Sequence, residues 1–214
     1  MKNLLLCIRS FVLDIFSTNK YTGVRIHPTA VIDGPCTIGE GTSIWHFSHL
    51  YKGCSIGPRS IIGQNVMIGP HVQIGSGCKI QNNVSLYEGV IVEDDVFCGP
   101  SCVFTNVINP RSPIDRKHEF RKTTVCRGAS IGANATLVCG ITIGEYAFVG
   151  AGAVVTTDVG KFEVIVGNPA KKMGYMCKCG EMLPKDSWTR AVCHQCGEAY
   201  QINPQNQCES TSLS

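Results

Sequence analysis

The chain has 214 residues, enough for one ordinary domain and a small appendage, and its formal charge of +3 gives no hold to nucleic acid or an anionic membrane. With 23 glycines and only 16% charged residues, the composition suits a β-rich repeat better than a helical bundle. Thirteen cysteines suggest a secreted disulfide scaffold, but the odd count and the lack of a leader-like cleavage site point to reduced thiols.

Met1 to Phe16 is apolar, interrupted by Arg9 and Asp14. It is too short to span a bilayer. A short helix packed on the end of the main domain is predicted over residues 1–23, with no transmembrane segment.

From Ile26 an apolar residue recurs every six positions without slip through Ile32, Ile38, Ile44 and Leu50 to Cys98 and Phe104. A second run in a new register holds Val125, Ile131, Leu137, Ile143, Val149 and Val155. Two residues before each stands a second small or apolar residue, such as Ala30, Cys36, Thr42 and Ser48, and later Ala129, Ala135, Ala147 and Ala153. A period of six fits neither a helix nor a simple alternating strand. It fits a solenoid with three short strands and three tight corners per coil, large residues inside and small ones beside the corners. An all-β parallel β-helix is therefore predicted over residues 24–176. Cys36, Cys54, Cys78, Cys98 and Cys102 fall on inward positions, where a free thiol serves as a small hydrophobe.

The repeat stops over residues 106–124, NVINPRSPIDRKHEFRKTT. Prolines and dense charge make this a long external loop, and such loops in compact repeats are commonly functional. Arg111, Arg116, Lys117 and His118 are its candidates for binding an anionic substrate, since a guanidinium donates paired hydrogen bonds to phosphate or carboxylate. A solvated charged loop is the plainer alternative.

Beyond residue 176 the repeat gives way to CKCGEMLPKDSWTRAVCHQCGEAY. Cys177 and Cys179, then Cys193 and Cys196, form two pairs, each followed by glycine. Four thiolates can hold Zn²⁺ tetrahedrally, so residues 177–201 read as a zinc-ribbon-like module, although the first pair is one residue shorter than the usual knuckle. Residues 202–214 are polar and read as a disordered tail.

The segments IWHFSH, IGQNVMIG, KIQNNVSLYEGV, EDDVFCGPSCVFTNVINPR, GASIGANATLVCGITIG, YAFVGAGAVVTTDV and VGNPAKKMG occur in that order. Through them the run from Ile26 to Met176 resembles the bacterial nucleotide-sugar 3-N-acetyltransferases, a group within the left-handed β-helix hexapeptide acyltransferases. The group includes enzymes that acetylate UDP-2-acetamido-3-amino-2,3-dideoxyglucuronate and dTDP-3-amino-3,6-dideoxyhexoses. The resemblance implies a left-handed coil, a cytoplasmic homotrimer, and sites in the grooves between neighbouring β-helices. It implies acetyl-CoA as co-substrate and a nucleotide sugar destined for surface polysaccharide as acceptor. Ala129, Gly132, Ala133, Gly150 and Gly152 are the small residues expected along the pantetheine, with Pro169, Lys171 and Lys172 near the CoA phosphates.

Asn106, where the coils meet the loop, is expected to accept a hydrogen bond from the sugar amine and aim its lone pair. Asn82 and Asn83 are corner residues expected to line the same groove, Asn83 in a catalytic role, unless all three merely cap their corners. His46 is the candidate base, with His49 and His118 behind it, which an acetyl transfer to a hydroxyl would need. A metal-dependent hydratase would need three converging histidines, and His27, His46, His49 and His71 stand at different phases of the hexad.

Overall fold

The computed structural model describes residues 21–184, 189–203 and 207–211. The predicted N-terminal helix over 1–23 lies outside the described residues except for its last three.

Two-residue strands wind into a three-faced parallel β-solenoid. The first face stacks Arg25–Ile26, Ser43–Ile44, Ile61–Ile62, Lys79–Ile80, Phe97–Cys98, Ser130–Ile131, Phe148–Val149 and Glu163–Val166. The second runs from Val31–Ile32 through His49–Leu50, Met67–Ile68, Ser85–Leu86, Val103–Phe104 and Thr136–Leu137 to Val154–Val155. The third holds Thr37–Ile38, Ser55–Ile56, Gln73–Ile74, Val90–Val92, Thr123–Val125 and Thr142–Ile143.

The two periodic positions of the sequence are the two inward positions of each wall. Ile62, Ile68, Ile80, Leu86, Ile131, Leu137 and Ile143 are fully enclosed, and so are Thr42, Ser48 and Ser60 from the small-residue set. Those three hydroxyls satisfy themselves by donating to the carbonyls of Gly57, Gly63 and Gly75 in the next coil. Cys54, Cys78, Cys98 and Cys102 are buried and Cys36 packs against the same core, all as free thiols. Burial pushes the Cys78 thiol up to about 11, which suits a packing element and not a nucleophile.

Corner glycines follow from coil contact. A Cβ on Gly132 would stand 2.4 Å from the backbone nitrogen of Ala151 one coil below. Pairing repeats every eighteen residues, as from Arg25 to Ser43, until the external loop lengthens one coil. There Cys98 pairs with Ile131 and Val92 with Val125, so the register is kept across the insertion. The loop occupies the residues between Phe104 and Thr123 and holds one 3-10 turn, Lys117–Glu119.

The parallel coils end at Val166, earlier than the predicted boundary at residue 176. Lys171–Tyr175 turns back antiparallel onto Glu163–Val166 and closes that edge of the first face. Three further strands, Arg190–Val192, Ala199–Ile202 and Cys208–Ser210, form a small antiparallel sheet. The third of them corrects the expectation of a disordered tail. Cys208 is buried against the module's core, which the polar composition around it hides. Among the described residues no helix is long and apolar enough to cross a membrane.

Candidate functional site

The coil has three edges, and the predicted catalytic and acceptor-binding residues divide between two of them. The edge between the first and second faces carries, coil by coil, His27, then Trp45 to Phe47, Gln64 and Asn65, Asn82 and Asn83, Gly132 to Asn134, and Gly150 to Gly152. The edge between the second and third faces carries the external loop, and with it Asn106, Arg111, Arg116, Lys117 and His118.

On the loop edge, the backbone carbonyl of Asn106 accepts from the N–H of Arg121 at 3.0 Å and closes the loop at its base. Asn106 lines an open hollow of about 640 Å³ together with Arg111, Arg116, Lys117 and Phe120. Arg116 donates through one terminal nitrogen to both carboxylate oxygens of Glu119, at 2.6 and 2.9 Å. Its Nε is buried and has no hydrogen-bond partner among the described residues. A buried guanidinium N–H without an acceptor is a costly arrangement that a bound anion relieves. His118 points away, its side chain 77% exposed, and does not line the hollow.

On the other edge the asparagines form a ladder. Asn82 Oδ1 accepts from the backbone N–H of Gln64 at 2.8 Å, and Asn65 Nδ2 donates to Asn83 Oδ1 at 3.1 Å. Asn83 adopts a left-handed backbone, φ 62°, which asparagine tolerates. The Asn82 carbonyl is thus committed to its corner. His46 stacks on His27 with ring centroids 3.5 Å apart, beside the exposed rings of Trp45 and Phe47. The hexad phases of these two histidines predict no such meeting. They lie one coil and one residue apart, and the corner brings them together. Loss of hydration, then the neighbouring His46, holds His27 below the ordinary histidine range. His49 joins Asp33 at 2.7 Å and stacks on Tyr51, a pairing the sequence reading missed.

Of the residues expected along CoA, Gly132, Ala133, Gly150 and Gly152 share the asparagine edge. Gly152 is exposed with φ +69° and open space around it, whereas Gly150 is buried. Ala129 requires correction: it is fully buried inside the coil and cannot touch a ligand outside it. Its place in the inward series with Ala135 and Ala147 already signals this. Lys172 requires correction too. Its ammonium binds Glu163 at 2.7 Å and the Tyr175 hydroxyl at 2.6 Å, and so braces the terminal hairpin. Pro169 and Lys171 are exposed.

A third constellation stands apart from both edges. The sulfurs of Cys177, Cys179, Cys193 and Cys196 lie within 4.8 Å of one another. Cys177 and Cys196 are 3.4 Å apart, and Cys179 and Cys193 3.5 Å. The backbone N–H of Cys196, then that of Gln195, directed at Cys193 bring its thiol down to about 7.

The repeats match known proteins. Residues 35–70 and 122–157 fit the bacterial transferase hexapeptide model (six repeats), and residues 53–88 the hexapeptide repeat of succinyl-transferase. Fold and repeat together define a hexapeptide-repeat β-solenoid. A stretch of 81 residues, 38% of this chain, is 52% identical to dTDP-3-amino-3,6-dideoxy-alpha-D-galactopyranose 3-N-acetyltransferase of Aneurinibacillus thermoaerophilus. A longer stretch of 175 residues, 82% of the chain, is 32% identical to serine acetyltransferase 2 of Arabidopsis thaliana. These matches span 41% and 38% of the two relatives' own lengths. A hexapeptide-repeat acetyltransferase of Vibrio cholerae O1 biovar eltor, solved with acetyl-coenzyme A, shares the fold at TM-score 0.51 and 24% identity, over 57% of this chain and 70% of that one. Over these stretches the chain carries the hexapeptide repeat of the bacterial transferases and is similar to acetyltransferases.

Proposed function

We propose that the chain transfers the acetyl group of acetyl-CoA to the 3-amino group of a UDP- or dTDP-linked amino sugar for surface polysaccharide synthesis. The observation that carries this reading is the 52% identity to a nucleotide-sugar 3-N-acetyltransferase. The orphaned Arg116 Nε beside Arg111 and Lys117 supports an anionic acceptor.

The division of the site residues between two edges supports a homotrimer. A groove between two copies brings the loop edge of one against the asparagine edge of the next, whereas a single chain keeps them on opposite sides of its second face. In that groove the neutral amine attacks the thioester carbon and the carbonyl electron pair moves onto oxygen. The tetrahedral adduct collapses, expelling the CoA thiolate, and the ammonium proton leaves to water or to the thiolate. Amide and free thiol result. An amine is nucleophilic enough that aim matters more than a strong base, and positioning alone supplies about 7–11 kcal/mol. Asn106 and Asn83 are the aiming residues of this reading, with Asn82, Arg111, Arg116 and Lys117 on the acceptor, while the exposed His118 drops out of it. Gly132, Ala133, Gly150, Gly152, Pro169 and Lys171 flank the donor. This reading takes the reaction to be cytoplasmic, where acetyl-CoA and nucleotide sugars would meet it.

Thiol release from acetyl-CoA in the presence of UDP- and dTDP-linked 3-amino sugars tests the reading, and silence with all of them overturns it. A second reading, transfer to a hydroxyl with His46 as base, is favoured by the serine acetyltransferase similarity and the His27–His46 stack. Loss of activity in His46→Ala with Asn106→Ala fully active would select it.

A further inference from the structure

We propose that Cys177, Cys179, Cys193 and Cys196 hold a structural Zn²⁺, and that the module it organises braces the last coils of the solenoid along the edge between the third and first faces.

The thiol geometry fits the ion. A tetrahedral zinc with Zn–S bonds of about 2.3 Å sets its sulfurs roughly 3.8 Å apart. The four sulfurs here lie within 4.8 Å of one another, with two pairs at 3.4 and 3.5 Å. Those separations are far longer than a disulfide bond of about 2.05 Å. Each close pair joins one knuckle to the other, so an ion at the centre would tie both turns together. The turns are already shaped for it: Gly180 N–H donates to Cys177 O, and Gly197 N–H to Cys193 O, each at 2.9 Å. Gly180 and Gly197 take left-handed φ values of 91° and 78° there, with nothing near enough to be a packing reason for glycine. Backbone N–H groups of Glu181, Cys196 and Glu198 point at the sulfurs of Cys179, Cys193 and Cys196. The Tyr200 hydroxyl donates to Cys177 at 3.1 Å, the kind of outer partner that fixes a metal ligand. Four thiols lose four protons to solvent on binding, and the closed thiolate set leaves no position for chemistry.

The module cannot stand on apolar burial alone. Its core unites Tyr175, Leu183, Ala191, Tyr200, Ile202 and Cys208 with the ligands Cys177 and Cys193, too little for a sheet of three short strands. Part of that core belongs to the solenoid. Phe162, from the last corner between the third and first faces, meets Tyr200 edge-on at 5.1 Å and stacks on Tyr146 at 5.4 Å. Met176 N–H donates to Phe162 O at 2.8 Å, one residue before the first ligand. The order metal, Cys177, Tyr200, Phe162 is therefore a continuous path from the ion to the last coil. Along that edge the module lies beside successive corners, with Glu145 and Lys161 sharing a hollow with Gln207, Cys208 and Glu209.

The test uses the whole 214-residue chain. Elemental analysis after anaerobic purification should give about one zinc per chain. Cobalt exchange should give the visible spectrum of a tetrahedral thiolate site, while Cys193→Ser/Cys196→Ser loses both and Cys126→Ser keeps both. Chelation of the wild-type protein should speed amide exchange in Glu163–Val166 and Lys171–Tyr175 by about tenfold or more. Phe162→Ala should keep its zinc and show the same faster exchange. Absence of metal, or iron in place of zinc, overturns the ion. Stoichiometric zinc with exchange unmoved by chelation overturns the brace and leaves the ion standing.

Discussion

The imidazole rings of His27 and His46 stack at 3.5 Å across two successive coils. Protonating one ring beside the other is unfavourable, and His27 lies below its ordinary value of 6.5 through loss of hydration and then through His46. A lowered histidine favours the fold in its neutral form. Its contribution is fully present above pH 6.5 and is lost as pH falls through that value toward the folded one. Proton NMR titration of His46→Ala should return His27 toward 6.5, and an unmoved titration would show that His46 has no part in the shift.

Asn106→Ala should lower kcat about 10²-fold, the scale of a misaimed nucleophile. The loop should survive, because its closing hydrogen bond uses the Asn106 main-chain carbonyl and not its side chain. Steady-state kinetics with circular dichroism checks both halves, and wild-type turnover would refute the aiming role.

Arg116→Lys keeps the charge and removes the buried Nε donor. The expected outcome is a KM for the nucleotide sugar raised about tenfold, or roughly 1.4 kcal/mol, with the KM for acetyl-CoA unchanged. Equal effects on both substrates would place the arginine elsewhere.

Asp94 accepts the backbone N–H of Ser76 at 2.7 Å, and this bond first, then Arg127, holds its carboxyl below the ordinary 3.8. A depressed carboxylate stabilises the fold above 3.8, and that contribution is lost as pH falls through the folded value. Asp94→Asn should therefore flatten the acid limb of a stability–pH curve measured by denaturant unfolding below pH 5 or so. An unchanged limb would assign acid sensitivity to other carboxylates.

Gly132→Ala drives a methyl to 2.4 Å from the Ala151 backbone nitrogen. Backbone cannot swing aside as a side chain can, so a loss of about 1–3 kcal/mol is expected in chemical denaturation. The same substitution at Gly152 meets no atom within 4 Å and is strained only by its φ of +69°, so it should cost less.

The wall of this fold was legible because each strand contributes one enclosed residue, and a period of six admits few other shapes. The loop was legible because its composition breaks that period at Asn106. What remained hidden depends on counting around the coil. Asn83 and Asn106 look like neighbours in one groove, yet the Val103–Phe104 strand puts them on different edges of the same chain. Lys172 was assigned by its neighbours in sequence, but Glu163 claims it through an antiparallel turn that no local pattern announces. The Cys208 strand was hidden for a related reason: its burial comes from pairing with Ala199–Ile202 and from the module core, not from its own composition.

Because pairing keeps its register from coil to coil, even through the loop, the asparagine edge is a ruler with graduations of about 4.8 Å. Asn65, Asn83, Ser101, Asn134 and Gly152 mark successive divisions along it. Removing one whole eighteen-residue coil between Asn83 and Gly152 would leave every turn intact and shorten the span between these two residues by one division. In the acetyl transfer proposed above, such a deletion should weaken acetyl-CoA relative to a shorter thioester carrier.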